Sequence, residues 1–206
     1  MRVFASLLLL LLAPSCRHRS GTETIIGIQP IGNVSYDKIE IIEHALYRIY
    51  HAPVIVLAPI RPPENAFVNL KSPRYRADKL IEYLKANKPD TVDYIMGITN
   101  YDISITKTDF FGRIKEPTDK YEDFGIFGLG YMPGVSCVVS CFRLGRDKSR
   151  LQDRLAKICI HEFGHNRGLD HCENKTCAMT DAVEKISTID SADLNLCEKC
   201  RKKIHG

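Results

Sequence analysis

His161, His165 and His171 fall inside one short run, HEFGHNRGLDH, with Glu162 beside the first of them. On a helix His161 and His165 stand four residues apart, so they share a face and both imidazoles can reach one metal ion. Gly168 comes three residues after His165, where a helix can end and the chain can turn through positive φ. That turn returns His171 as a third ligand. Three histidine ligands leave the fourth tetrahedral position of a zinc ion open to water, which separates a catalytic site from a structural one. Glu162 points about 100° away from the two-histidine face. It can still act on that water as general base. A bare HExxH also arises on amphipathic helices that bind no metal. The added glycine and third histidine weigh against that reading, because three clustered imidazoles without a metal would each need a separate partner.

Four cysteines follow. Cys172 and Cys177 form one close pair and Cys197 and Cys200 another. Two pairs with a spacer are the usual way to build a closed tetrahedral thiolate site. Disulfides and free buried thiols are the alternatives. Met179 lies between the pairs and reads as structural support rather than a ligand. Cys137, Cys141 and Cys159 stand outside this set and read as buried apolar filler. The run Cys197-Glu198-Lys199-Cys200 alone would permit redox use, but the βαβ setting of a thioredoxin-like motif is missing.

Written out, the pattern is HExxHxxGxxHC-x4-C-x-M-x17-C-x-x-C. It resembles the signature of the archaemetzincin family, a branch of the metzincin zinc metallopeptidases. The resemblance is strongest over about the last fifty residues and looser from Tyr94 through Leu144. It implies an α+β, zincin-like fold: a mixed sheet of four or five strands, three main helices and a C-terminal zinc subdomain built on four cysteines. It implies two zinc ions, a catalytic one on His161, His165 and His171 and a structural one on Cys172, Cys177, Cys197 and Cys200. Glu162 would be the catalytic base, and Met179 would lie in the turn beneath the site. The implied activity is hydrolysis of peptide bonds in a peptide or protein substrate, as an endopeptidase or an aminopeptidase. The competing function is a non-catalytic, zinc-stabilised peptide-binding module on the cell envelope. Glu162 argues against it, since such a module needs no base. Tyr131 and Asn166 are possible additional donors to the developing oxyanion, though neither sits in a motif.

The beginning of the chain carries a different signal. Arg2 precedes VFASLLLLLLA, and PSC follows. A positive residue, a short apolar core and small residues read as a secretory signal, too short to span a membrane. Cys16 at the junction suggests a bacterial lipoprotein, cleaved before Cys16 and held at the envelope by lipid on that cysteine. Plain signal cleavage and a mistaken start codon are the alternatives. The expected organisation is a signal at 1–15, a tether at 16–23 and one metallopeptidase domain at 24–206. Export would place the cysteines where thiols oxidise, unless zinc binds them first.

The remaining composition is consistent with one globular domain. Net charge is +4, from 29 basic and 25 acidic residues, too small to argue for nucleic acid. A monomer is expected. Alternating or apolar runs predict strands from Thr24, over Val54 to Ala58, over Thr91 to Thr99, and from Ser136. Ile103 and Ile105 could continue the sheet. Helical spacing predicts helices over Lys38 to Tyr50, Tyr75 to Asn87 and Lys148 to Arg167. The charged stretch from Lys107 to Asp123 reads as a mobile surface loop. Ile126 to Tyr131 reads as a strand, and the resemblance makes it the edge that pairs with an extended substrate. Gly128 and Gly130 would then let that substrate approach closely.

Overall fold

The computed structural model describes residues 24–181 and 185–205. The expected signal at 1–15, the tether at 16–23 and Cys16 lie outside the described residues. Among the described residues no helix is long and apolar enough to cross a membrane.

In chain order the elements are β1 (Ile26–Ile31), α1 (Tyr36–Tyr50), β2 (Val54–Val56), β3 (Phe67–Val68), β4 (Arg74–Arg76), α2 (Ala77–Ala86), β5 (Tyr94–Thr99) and β6 (Ile103–Ile105). They continue with α3 (Thr118–Tyr121), β7 (Phe124–Ile126), β8 (Gly128–Gly130), β9 (Ser136–Ser140), α4 (Lys148–Asn166), α5 (Ile186–Ser191) and α6 (Glu198–His205). The main sheet has the order β2-β1-β5-β9-β8. Its strands run parallel except β8, which pairs antiparallel with β9 and forms the edge. The fold is therefore the mixed α and β architecture the resemblance implies.

Period-two alternation divides the sheet between two helical layers. Ile26, Ile28, Met96, Ile98, Cys137 and Val139 face α1 and α4, which contribute Ile42, Leu46, Leu155, Cys159 and Phe163. Ile95 and Val138 face the other side, against Leu80, Ile81 and Leu84 of α2. Phe163 is central to the first layer, with the rings of Tyr50 and Tyr94 edge-on at 4.8 and 5.1 Å. Tyr50 also donates its hydroxyl to the Ile160 carbonyl at 2.6 Å. These contacts fix the roll of α4, and hence the direction in which its histidines point.

A second sheet, β3-β4-β6-β7, was not expected. Arg74–Arg76 is a strand of it rather than the first turn of α2. The anticipated strand from Ile126 to Tyr131 divides at Phe127: Ile126 ends β7 in the small sheet, and β8 begins the edge of the main one. The stretch read as a mobile loop is an ordered excursion between β6 and β7. It contains α3, an antiparallel bridge between Thr108 and Ile114, and a turn in which Asp109 accepts from the backbone N–H of Phe111 and Arg113. Arg74, Asp102, Asp123 and Arg143 form a mostly buried ion-pair network that ties the small sheet to the end of β9.

Candidate active site

Helix α4 begins at Asp147, whose carboxylate accepts from the Arg150 N–H at 2.8 Å. It ends at Asn166, and Gly168 follows with φ of +81°. Open space surrounds the position where a Gly168 side chain would lie, so backbone conformation alone requires glycine there. The turn brings the Leu169 carbonyl back to His165 and delivers His171. Among the described residues, His161, His165 and His171 converge with their ligand atoms within 4.8 Å of one another.

The imidazoles are oriented by the backbone. His161 Nδ1 lies 2.9 Å from the Ala178 carbonyl and His165 Nδ1 lies 2.8 Å from the Leu169 carbonyl. A carbonyl only accepts, so each Nδ1 carries the proton and each Nε2 presents a lone pair. The two Nε2 atoms face each other at 3.0 Å. Two lone pairs at that distance repel unless a cation lies between them. Protonation is a poor remedy, because burial and then the neighbouring His165 hold His161 down to about 3. Burial lowers His165 as well. Nitrogens bound tetrahedrally to one zinc would stand about 3.3 Å apart. The donor set therefore fits zinc.

Glu162 is buried on the adjacent face of α4. Burial pushes its carboxyl up to about 8, opposed by the Gly130 backbone N–H. A Cβ on Gly128 would lie 2.7 Å from both Cγ and Oε1 of Glu162, and one on Gly130 would lie 2.6 Å from the Glu162 carbonyl oxygen. The glycines do permit close approach, but what approaches is helix α4. Edge strand and carboxylate are thereby locked together. Both border a cleft of about 360 Å³ that is also bordered by the three histidines, Leu129, Met132, Lys157, Ile158 and Ile189. Asn166 does not join them: it is buried, with its amide donating to the Tyr131 and Ser136 carbonyls at 3.0 and 2.9 Å. Its donors are spent on the β8–β9 connection. Asn166 is therefore set aside as an oxyanion donor; Tyr131 is exposed, between Gly130 and Met132, which both border the cleft.

Met179 is fully buried beneath the helix. A Cβ on Gly164 would meet its sulfur at 2.4 Å, so this helical glycine is the space in which Met179 sits. The same turn joins the two clusters. Ala178 orients His161, the Met179 carbonyl accepts from the Cys172 N–H at 2.8 Å, and Cys177 immediately precedes both. The sulfurs of Cys172, Cys177, Cys197 and Cys200 also converge within 4.8 Å. Cys172 to Cys197 is 3.7 Å and Cys177 to Cys200 is 3.8 Å. Thiolates around one tetrahedral zinc stand about 3.8 Å apart. The Cys177 sulfur also receives backbone N–H groups of Met179 and Cys197 at 3.5 and 3.3 Å. The Cys200 backbone N–H, chief among several hydrogen bonds, holds the Cys197 thiol down to about 7, while burial raises Cys177 and Cys200. Cys137, Cys141 and Cys159 are free, buried thiols, as expected of filler.

The sequence model of Peptidase family M54 matches residues 34–206. The chain belongs to Peptidase family M54, the archaemetzincins. Membership makes it a zinc metallopeptidase. The archaemetzincin of Halobacterium salinarum is 28% identical over 189 residues, covering 87% of this chain and 98% of that one. That of Methanocaldococcus jannaschii is 27% identical over 186 residues, covering 87% and 92%. Among solved structures, the archaemetzincin of Methanopyrus kandleri superposes with a TM-score of 0.73 at 23% identity, over 90% of this chain and 95% of that one. The Archaeoglobus fulgidus archaemetzincin, solved in complex with malonate, gives 0.70 at 24% identity over 88% and 100%.

These relatives correct the expected location. They are archaeal archaemetzincins, and the Halobacterium protein is matched over 98% of its length, leaving it no room for a leader of the kind read at 1–15. Export as a bacterial lipoprotein held by Cys16 is withdrawn. The reading rested on the order of a positive residue, an apolar core, small residues and Cys16, a short pattern that also arises by chance.

Proposed function

We propose that residues 24–206 act as one peptidase domain holding two zinc ions, one on His161, His165 and His171 and one on Cys172, Cys177, Cys197 and Cys200. The observation that carries this reading is the Glu162 carboxylate, buried against edge strand β8 beside three histidines whose ligand atoms converge. A bound zinc ion polarises the scissile carbonyl and lowers the pKa of water towards about 7. Glu162 takes the proton of the attacking water and returns it to the leaving amine. Strand β8 offers its free backbone edge to an extended peptide, which would pass alongside Glu162. Leu169 and Ala178 keep both helix histidines in the tautomer that presents Nε2. The cysteine cluster braces the turn carrying Ala178 and Met179, so its role is structural.

The test is Glu162→Gln. The variant should keep both zinc ions and lose peptide hydrolysis by ~10²-fold or more, the usual scale for a general base. Equal cleavage by both proteins would remove Glu162 from the mechanism.

A further inference from the structure

Lys157 borders the cleft, and this chemistry leaves it unused. It stands four residues before His161 on α4, on the same face and about 6 Å further along the axis. It borders the same cleft as His161, Glu162 and His165. Its side chain is only 9% exposed. Around it the cleft is bordered by Ile158, Ile189 and Ala192. An ammonium has three donors. One meets Asp153 at 2.7 Å and a second makes a long bond to the Asp190 carbonyl at 3.5 Å. The third has no acceptor among the described residues. Asp153 is itself 42% exposed, so water shares its charge and weakens its hold on the lysine. The cleft's other acid outside the reacting group, Asp170, is exposed at the rim. The Lys157 side chain thus borders the cleft among apolar residues, with its ammonium held at that border by Asp153, and apolar surroundings strengthen any further ion pair formed there.

We infer that Lys157 sets substrate specificity by binding a carboxylate of the peptide. The inference rests on the peptidase reading above. The carboxylate can come from an acidic side chain near the scissile bond or from the free C-terminus of a short peptide. A purely structural lysine, tying α4 to α5, would affect all peptides alike.

The experiment measures peptide binding to the zinc-loaded Glu162→Gln protein, so that turnover does not interfere, and cleavage by the wild type in parallel. Peptides come in twins: Glu against Gln at each position flanking the scissile bond, and free acid against amide at the C-terminus. The carboxylate twin should bind about 10-fold or more tightly, the scale of a hydrogen bond to a charged group. The responding pair identifies the source. Adding Lys157→Met should erase the difference and leave the neutral twin's affinity unchanged, while Lys157→Arg should keep most of it. Equal affinity of all twins, absence of binding by any of them, or equal weakening of both twins by Lys157→Met would overturn the inference. If Lys157→Met does not fold, Lys157→Gln makes the same comparison, since it also removes the charge, and it should erase the difference to the same extent. Carboxylate-selective binding without cleavage would uphold the inference and sink the peptidase reading. Cleavage without carboxylate preference would do the reverse.

Discussion

Gly128→Ala should disable the enzyme while leaving it folded and loaded with metal. The new methyl would lie 2.7 Å from Glu162 Cγ and Oε1 and 2.9 Å from Cδ, where ordinary contact begins at 3.4 Å. About 0.7 Å must therefore be absorbed, and the atoms in the way are the end of a side chain rather than backbone. The carboxylate yields, and the strand and helix stay. Misplacement of a reacting group by about 1 Å costs on the order of 10²-fold in rate, so kcat should fall by roughly 30- to 100-fold. Overpacking one methyl costs about 1–3 kcal/mol, and the flexible neighbour places this case near the lower end. Each kcal/mol lowers Tm by about 2–4 °C in a domain of this size. The assay combines kcat on a peptide the wild type cuts, zinc content by elemental analysis, and a thermal melt. Gly130→Ala is the contrast: its methyl meets the Glu162 backbone oxygen at 2.6 Å, which cannot swing aside, so stability should fall further. Wild-type turnover by Gly128→Ala, or loss of zinc from it, would refute the reasoning.

Cys197→Ser should lose one zinc ion and lower Tm, since structural zinc contributes directly to folding; it should also weaken zinc at the histidines, because Cys177 and Cys172 frame the turn that orients His161. Titration of a chelator against both proteins reads this. Gly164→Ala should destabilise by about 1–3 kcal/mol, because its methyl meets the Met179 sulfur at 2.4 Å and the Tyr50 hydroxyl at 3.1 Å; urea denaturation measures it. Asp190 accepts from Arg154 at 2.6 and 2.7 Å, and that contact holds its carboxyl below the ordinary value of 3.8. Its stabilising share is therefore present above pH 3.8 and lost as pH falls through the depressed folded value. Asp190→Asn should cost under about 1 kcal/mol near neutral pH, given the partial exposure of the pair, and should make the acid limb of a stability–pH curve shallower.

The convergence of the three histidines was legible because it is local. One helix and one turn carry His161, Glu162, His165, Gly168 and His171, so spacing alone specifies their approximate arrangement. Long amphipathic segments were legible for the same reason: α1, α4 and most of α2 follow from apolar periodicity. The second sheet was not, because β3, β4 and β7 are two or three residues long and show no resolvable alternation, while β6, which Ile103 and Ile105 had marked as a strand, joins this sheet rather than the main one. Tyr75 and Arg76 looked like the start of α2 because their pairing partners, Ile103 and Ser104, are distant in sequence. Gly128 and Gly130 were rightly read as points of close approach, but spacing could not say that Glu162 would be the neighbour. Asn166 looked like a donor beside the site, yet the β8–β9 connection takes its amide. Lys157 was not singled out in the sequence, and only the packing of α5 beside it shows a buried lysine bordering the cleft. Its position four residues before His161 was the available signal.

The most direct test of the central claim is anomalous X-ray diffraction from crystals of the wild-type protein at the zinc absorption edge. The account predicts two zinc peaks, one within bonding distance of Nε2 of His161 and His165 and of a ring nitrogen of His171, the other among the sulfurs of Cys172, Cys177, Cys197 and Cys200. Density at the cysteines alone, with the histidines empty in zinc-replete protein, would contradict it.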